Sequence, residues 1–315
     1  MENASTFTTF ILDGYLVMDQ LKPLYFTVFL LLYVAIVLLN SLLIAVIYNE
    51  RTLHNPMYIL VCHLSVNGIY GSSSLIPHLL FNLATQFHKI SLANCLIQTF
   101  CLHTFNIIEV TILAVMGYDR YIAICHPLHY HSLMSHRKLQ ILVIFMWVYP
   151  LITFLLYEAL TIRLTFCSPV ITKTHCVNFE LIKLSCTDIT VHSVIGLVLT
   201  MTVFTFPQML LILFSYAQIL QVCLFSSKES KTKAVQTCTP HLLAVLNYLI
   251  GVLFEVIQSR FHISYLSYDF RTFMSLYFMI FPPLVNPIIY GMSGQVIRNF
   301  VHKFFFRKKV AVFKH

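Results

Sequence analysis

Residues 23–49 read PLYFTVFLLLYVAIVLLNSLLIAVIYN, a run without a single Asp, Glu, Lys or Arg. An α-helix needs about 20 apolar residues to cross a hydrocarbon core roughly 30 Å thick. Within that core only helices and closed barrels satisfy every backbone donor and acceptor, so such a run reads as a membrane span. The same absence of charge recurs at 52–88, 90–108, 139–157, 189–227, 234–254 and 272–297. Seven helices are therefore expected, near 24–48, 57–81, 93–124, 139–160, 193–222, 236–259 and 270–292. The period-two alternation of a membrane barrel is not seen. The fold class is an all-α seven-helix membrane bundle.

Composition agrees with the span count. Of 315 residues, 58% are hydrophobic and 10% charged, whereas a water-facing surface wants roughly a quarter of its positions charged. Two soluble domains are thereby excluded. Eight Gly exclude a collagen-like chain, and nine Cys in this length exclude a small disulfide scaffold. The opening MENASTFTTF is polar and lacks the basic start of a secretory signal, so the first span is expected to direct export.

Basic residues set the orientation. With seven spans, thirteen Lys and Arg fall on one side, among them Arg51, Arg120, Arg137, Lys138, Lys228, Lys231, Lys233 and six beyond residue 297; seven fall on the other. The richer side belongs in the cytoplasm, which puts the N-terminus outside and the C-terminus inside. The net charge of +8 gathers at a membrane face, so anionic inner-leaflet lipid and a cytoplasmic protein are the expected partners, not nucleic acid. Asn3-Ala4-Ser5 is a glycosylation sequon on the outer side. Cys95, Cys167, Cys176 and Cys186 also lie outside, where disulfides persist; four cysteines allow three pairings. Cys62, Cys101, Cys125, Cys223 and Cys238 read as small buried hydrophobes.

No Gly-rich phosphate loop, HExxH, CxxC or Gly-x-Ser-x-Gly occurs, so neither an enzyme nor a cofactor site is expected. His126, His129 and His131 lack the opposing ligands of a closed metal site. Ionisable groups within the spans are few: Glu109, with Glu158 and Glu255 near outer ends. A transporter or channel normally shows more of them, and often an internal repeat.

Four segments, in order, resemble a known family: Leu53-His54-Asn55-Pro56-Met57-Tyr58; Met116-Gly117-Tyr118-Asp119-Arg120-Tyr121 through Leu128; Lys233 to Leu242, KAVQTCTPHL; and Pro283-Leu284-Val285-Asn286-Pro287-Ile288-Ile289-Tyr290. Together they are similar to the vertebrate olfactory (odorant) receptors, a branch of the rhodopsin-like G-protein-coupled receptors, over about residues 23–300. The resemblance implies an odorant receptor that activates a stimulatory, olfactory-type G protein and raises cyclic AMP. It implies that Asp119 holds Arg120 at rest, that Arg120 and Tyr121 face the G protein when active, and that Asn286, Pro287, Tyr290 and Tyr216 form the switch. It also implies the pairings Cys95–Cys176 and Cys167–Cys186.

Family pocket positions fall on His103, Asn106 and Ile107 in span three, and on Thr200 and Phe204 in span five. They continue with Leu249, Val252, Leu253 and Val256 in span six, and Leu276 and Met279 in span seven. Tyr248-Leu249-Ile250 stands where many relatives carry Phe-Tyr-Gly, which is expected to remove a hydroxyl from the pocket floor. In span two, Leu64-Ser65-Val66-Asn67-Gly68 places Gly68 where the family's sodium-binding Asp belongs. Glu109 is left as a weak sodium site, as a protonated, hydrogen-bonded acid, or as a Glu paired with a neighbour. The division expected is an outer segment 1–22, a receptor domain 23–292, and a tail 293–315 whose Val296, Ile297, Phe300, Val301, Phe304 and Phe305 form an amphipathic helix on the inner leaflet. A non-olfactory metabolite receptor is the alternative within this fold, and a transporter or channel the alternative outside it.

Overall fold

A computed structural model describes residues 7–85, 87–260, 266–293 and 297–298. Asn3 and nearly all of the tail from 293 onward lie outside the described residues. Seven long helices cross the molecule: α1 Lys22–Asn49, α2 Pro56–Thr85, α3 Leu92–Cys125, α4 His136–Thr161, α5 Thr190–Leu224, α6 Lys228–Arg260 and α7 Tyr268–Ser293. Each is apolar and long enough to span a membrane. Their starts have local causes. Pro23 occupies the first turn of α1, where its missing N–H costs nothing. Ser91 and Ser135 cap α3 and α4 by accepting from the amides of Asn94 and Lys138.

The helices overrun the expected limits, most of all in α6, which begins eight residues before 236. Its extra turns are water-facing: Glu229 and Lys233 pair at i,i+4 across 2.7 Å on the exposed surface. Absence of charge marks the lipid-buried part of a helix and not its ends. Only residues 225–227 join α5 to α6.

The axis of the bundle is α3. In its most apolar window 78% of residues are buried, against 17% in α5, so the other helices pack around it. Outward faces stay apolar, for example Leu31, Leu38, Ile144 and Leu156, as a lipid-facing surface requires.

Near Cys95 the segments between helices are built into a lid. Strands β1 (Thr9–Leu12), β2 (Lys89–Ser91) and β3 (Val170–Ile171) form a sheet in the order β2-β1-β3, antiparallel then parallel. Residues 7–21 are thus a packed plug rather than a free segment. Phe10, Tyr15 and Met18 are fully buried, and Asn82 donates to the Tyr15 hydroxyl at 3.0 Å. Gly14 abuts the backbone of Lys173 and Thr174 so closely that any Cβ there would overlap it. Disulfides Cys95–Cys176 and Cys167–Cys186 staple the α4–α5 segment to α3 and to itself, with Cα separations of 5.4 and 5.0 Å. Within the lid, Lys173 forms an ion pair with Glu255 of α6 and donates to Ser275 of α7 at 3.2 Å.

His175, next to the stapled Cys176, is completely buried. Burial first, and then the Lys173 ammonium, push its imidazole down to about 3 from 6.5, against the weaker pull of Glu255. Between those values the unfolded chain binds a proton that the folded chain refuses. Stability therefore falls as pH drops through that window, by up to about 1.4 kcal/mol per pH unit. Thermal midpoints of the purified protein should fall from about pH 7.5 to about pH 5.5, and less so in His175→Gln. An equal fall in the variant would contradict this reading of the lid.

Candidate functional site

Three polar centres lie along α3. Beneath the lid is a cavity of about 160 Å³. Of the residues expected at the pocket, His103, Asn106, Ile107, Thr200, Phe204, Val252, Val256 and Met279 line it. Leu249, Leu253 and Leu276 do not, and the helix period explains the first two. On α6 the cavity face runs through Tyr248, Val252, Glu255 and Val256, so Leu249 and Leu253 stand about 100° further round. Leu253 is accordingly exposed on the outer surface, while Leu276 is buried in the main apolar core. The expected loss of a hydroxyl is also corrected. The Tyr248 ring reaches the cavity and its O–H donates to the Asn106 carbonyl at 3.3 Å. Reading residue by residue against the family motif missed that the neighbouring position supplies the hydroxyl.

Phe154, Tyr157, Asn178 and Phe179 also form the wall; they come from α4 and the lid, and no motif marks them. The bulged wall of α5 has a local origin. Residues Thr200–Thr205 form wide π-type turns. Pro207 has no N–H for the Val203 carbonyl, which instead accepts from the Tyr149 hydroxyl at 2.6 Å. Thr200, Met201, Phe204 and Thr205 reach the cavity from those turns.

Midway along α3 lies the second centre. Glu109 is buried, and its two carboxylate oxygens accept from Asn67 of α2 at 2.8 Å and Asn286 of α7 at 2.7 Å. Gly68 is explained here. A Cβ at this position would lie 3.3 Å from Pro283 Cβ, so α7 presses where a carboxylate side chain would otherwise project. Pro287 deprives the Pro283 carbonyl of its helical partner, and Asn40 of α1 fills the gap at 2.8 Å. Among the described residues no cluster of three or more His, Cys, Asp or Glu offers a metal site. Oδ1 of Asn67 and of Asn286 have no hydrogen-bond partner. A cation there would find one carboxylate and these two amide oxygens, where hard cations such as calcium take about six or more oxygens.

At the far end of α3, Arg120 Nε and Nη2 donate to Asp119 Oδ2 at 3.1 and 2.5 Å. Asp119 is fully buried, and its other oxygen accepts from the Tyr130 hydroxyl at 2.7 Å. Burial, and then the Asp119 charge, raise the Tyr130 hydroxyl above its usual range, which keeps it a donor. Tyr121 turns instead to His126, 3.0 Å away. Tyr216 O–H donates to His241 Nδ1 at 2.6 Å, while His241 Nε2–H donates to the Leu113 carbonyl at 2.8 Å. His241 thus bridges α3, α5 and α6. It stands within the KAVQTCTPHL segment, where the residue pattern alone does not mark its role. Asn286 points to Glu109, and Tyr290 is buried.

Similarity to known proteins extends over nearly the whole length. A family model described as olfactory receptor matches residues 29–308. The chain is 32% identical over 310 residues to Olfactory receptor 2A12 of Homo sapiens, covering 98% of both. It is 36% identical over 302 residues to Olfactory receptor 11A1 of Homo sapiens, covering 95% of this chain and 94% of that one. Identity to Olfactory receptor 4B13 of Mus musculus is 33% over 305 residues, covering 95% and 96%. In three dimensions the chain is similar to the crystal structure of squid rhodopsin. The TM-score is 0.71 at 15% identity, with 90% of this chain and 86% of that chain covered. That last likeness concerns the fold alone.

The Glu109 geometry predicts that replacing sodium by a large organic cation leaves the thermal midpoint of the purified protein nearly unchanged. A strong sodium stabilisation that vanishes in Glu109→Gln would contradict it.

Proposed function

The chain belongs to the olfactory receptor family, whose members are membrane receptors and not enzymes, and from that premise we propose that it senses a small odorant in the cavity under the lid. Membership makes it a multi-pass plasma-membrane protein with a small-molecule ligand and G-protein coupling. The finer reading is ours. The N-terminus lies outside and the C-terminus inside, as the basic residues require. Residues 1–22 are the extracellular N-terminal segment, 23–292 form the receptor domain, and 293–315 are the cytoplasmic tail, which binds anionic inner-leaflet lipid through its basic residues. Asn3 is the glycosylation site. The G protein is of the stimulatory, olfactory type, and its activation raises cyclic AMP. Glu109, with Asn67 and Asn286, binds sodium weakly at most.

The observation that supports this reading best is that one rod, α3, carries both ends of the device. His103 and Asn106 line the cavity, and Arg120, seventeen residues beyond His103, is locked to Asp119. At about 1.5 Å per residue the two ends are roughly 26 Å apart, across most of the hydrocarbon core. A ligand changes signalling only by binding one bundle conformation better than the other. The Arg120–Asp119 pair supports reading this conformation as the resting one. Activation separates that pair, and Arg120, Tyr216 and Tyr290 rearrange to admit the G protein.

The test is a screen of small volatile molecules with a cyclic AMP readout in cells. Arg120→Ala should abolish ligand-driven cyclic AMP while reaching the cell surface at close to wild-type density. A full response in that variant would contradict the proposal.

A further inference from the structure

Three side chains of the cavity are all left with lone pairs and no proton to give. Asn106 Nδ2 donates one proton to the Leu102 carbonyl at 2.7 Å and turns the other to Met279 Sδ at 3.7 Å, and since a carbonyl only accepts, the first bond fixes which amide atom is nitrogen. Asn106 Oδ1 is then a buried acceptor without a partner. One turn earlier, His103 Nδ1 lies 2.9 Å from the Thr99 carbonyl. The proton must sit on Nδ1, and the neutral ring presents Nε2 as an acceptor. Stacking on Phe154, with centroids 4.6 Å apart, holds the ring plane. From α6, the Tyr248 hydroxyl gives its proton to the Asn106 carbonyl, which leaves its oxygen lone pairs. Thr200 likewise donates to the Gly196 carbonyl at 2.7 Å. On the lid side, Asn178 Nδ2 is a buried donor without a partner.

The charge on the wall is already matched. Glu255 lines the cavity, but its oxygens are taken by the Lys173 ammonium and by the Ser275 hydroxyl at 3.1 Å. A ligand carboxylate would face Glu255 and three proton-less acceptors. A ligand ammonium would meet Glu255, whose charge Lys173 already matches. The volume, about 160 Å³, sets the size, since an apolar cavity of about 150 Å³ takes a benzene-sized molecule.

We propose that the cavity selects a neutral single-ring-sized molecule bearing an O–H donor, an alcohol or phenol, through Asn106, His103 and Tyr248, and discriminates against the matching ether, carboxylate and amine. A hydroxyl gives its one proton to one of these acceptors, Asn106 Oδ1 being the buried one without a partner. An ether has no proton to give and leaves Asn106 Oδ1 unpaired, a loss of roughly 3- to 10-fold in affinity per hydrogen bond. This rests on the reading of the cavity as the ligand site.

The experiment uses the full-length receptor with benzyl alcohol, its methyl ether, benzoate and benzylamine as probes. Two readouts run in parallel: ligand-induced thermal shift of purified receptor in lipid nanodiscs, and cyclic AMP in cells. The alcohol should act at concentrations about 10-fold lower than the ether, with benzoate and benzylamine weaker still. Asn106→Leu should bring alcohol and ether to within about twofold of each other. His103→Phe, which keeps a ring to stack on Phe154, should narrow the same gap and carries the comparison if Asn106→Leu does not fold. An ether equal to the alcohol, a tighter carboxylate or amine, or no thermal shift with the alcohol overturns the inference. A selective thermal shift by the alcohol without cyclic AMP leaves the ligand chemistry standing and contradicts the signalling proposal. Cyclic AMP driven by the ether or the acid while the alcohol is silent does the reverse.

Discussion

A carboxylate deep in an apolar bundle is tolerated only if its oxygens are paired, and Glu109 meets that condition through two amides from different helices. Asn67 ties α2 to α3 and Asn286 ties α7 to α3. The rest of the midsection is consistent with those two bonds. Gly68 lets α7 approach α2, and Pro283 fills the space a larger residue would need. The carbonyl that Pro287 leaves unpaired is reclaimed by Asn40, which brings in α1. Four helices thus meet through side-chain amides where lipid gives no hydrophobic drive for helices to associate.

Above and below this knot the same rod is used differently. At the lid, α3 is fastened covalently by Cys95–Cys176, and Gln98 accepts from the Cys176 amide at 2.9 Å. The Lys173–Glu255 pair carries the lid on to α6 and α7. At the Arg120 end no covalent bond crosses between helices among the described residues. What holds there is exchangeable: Arg120 with Asp119, Asp119 with Tyr130, and Tyr216 with His241. A ligand that shifts the α6 wall therefore acts on a bundle that is stiff at one end and held by replaceable polar contacts at the other. Packed elements with two discrete arrangements are what signalling between distant sites needs.

Much of this was legible in the chain. Runs without charge located seven helices because a charged side chain is costly in hydrocarbon, and the ordered motifs around Asp119-Arg120 and Asn286-Pro287 pointed to the family. Helix ends were less legible, since Lys228 to Lys233 continue α6 in water, where charge carries no penalty. The packed plug of Phe10, Tyr15 and Met18 depends on contacts with loops distant in sequence. His103, Asn106 and Ile107 reach the cavity together because they share a face of α3 at three- and four-residue spacing. Leu249 and Leu253 fall outside the cavity lining, since a motif alignment fixes position along a helix without fixing which neighbour turns inward. The choice of Tyr248 over Leu249 became visible only with the backbone in place. The meaning of Gly68 needed Pro283 beside it.

The central claim is that Asn67, Glu109 and Asn286 act as one unit whose value lies in mutual satisfaction. Thermal unfolding of the purified receptor tests it most directly, with Glu109→Leu compared against the triple replacement of Asn67, Glu109 and Asn286 by Leu. Leaving two buried amides without their acceptor costs about 1–3 kcal/mol for each, whereas removing a whole polar set in favour of apolar groups is often nearly neutral. The account predicts that the single variant is destabilised more than the triple one. A triple variant whose loss equals or exceeds the sum of the three single losses would show independent contacts and contradict it.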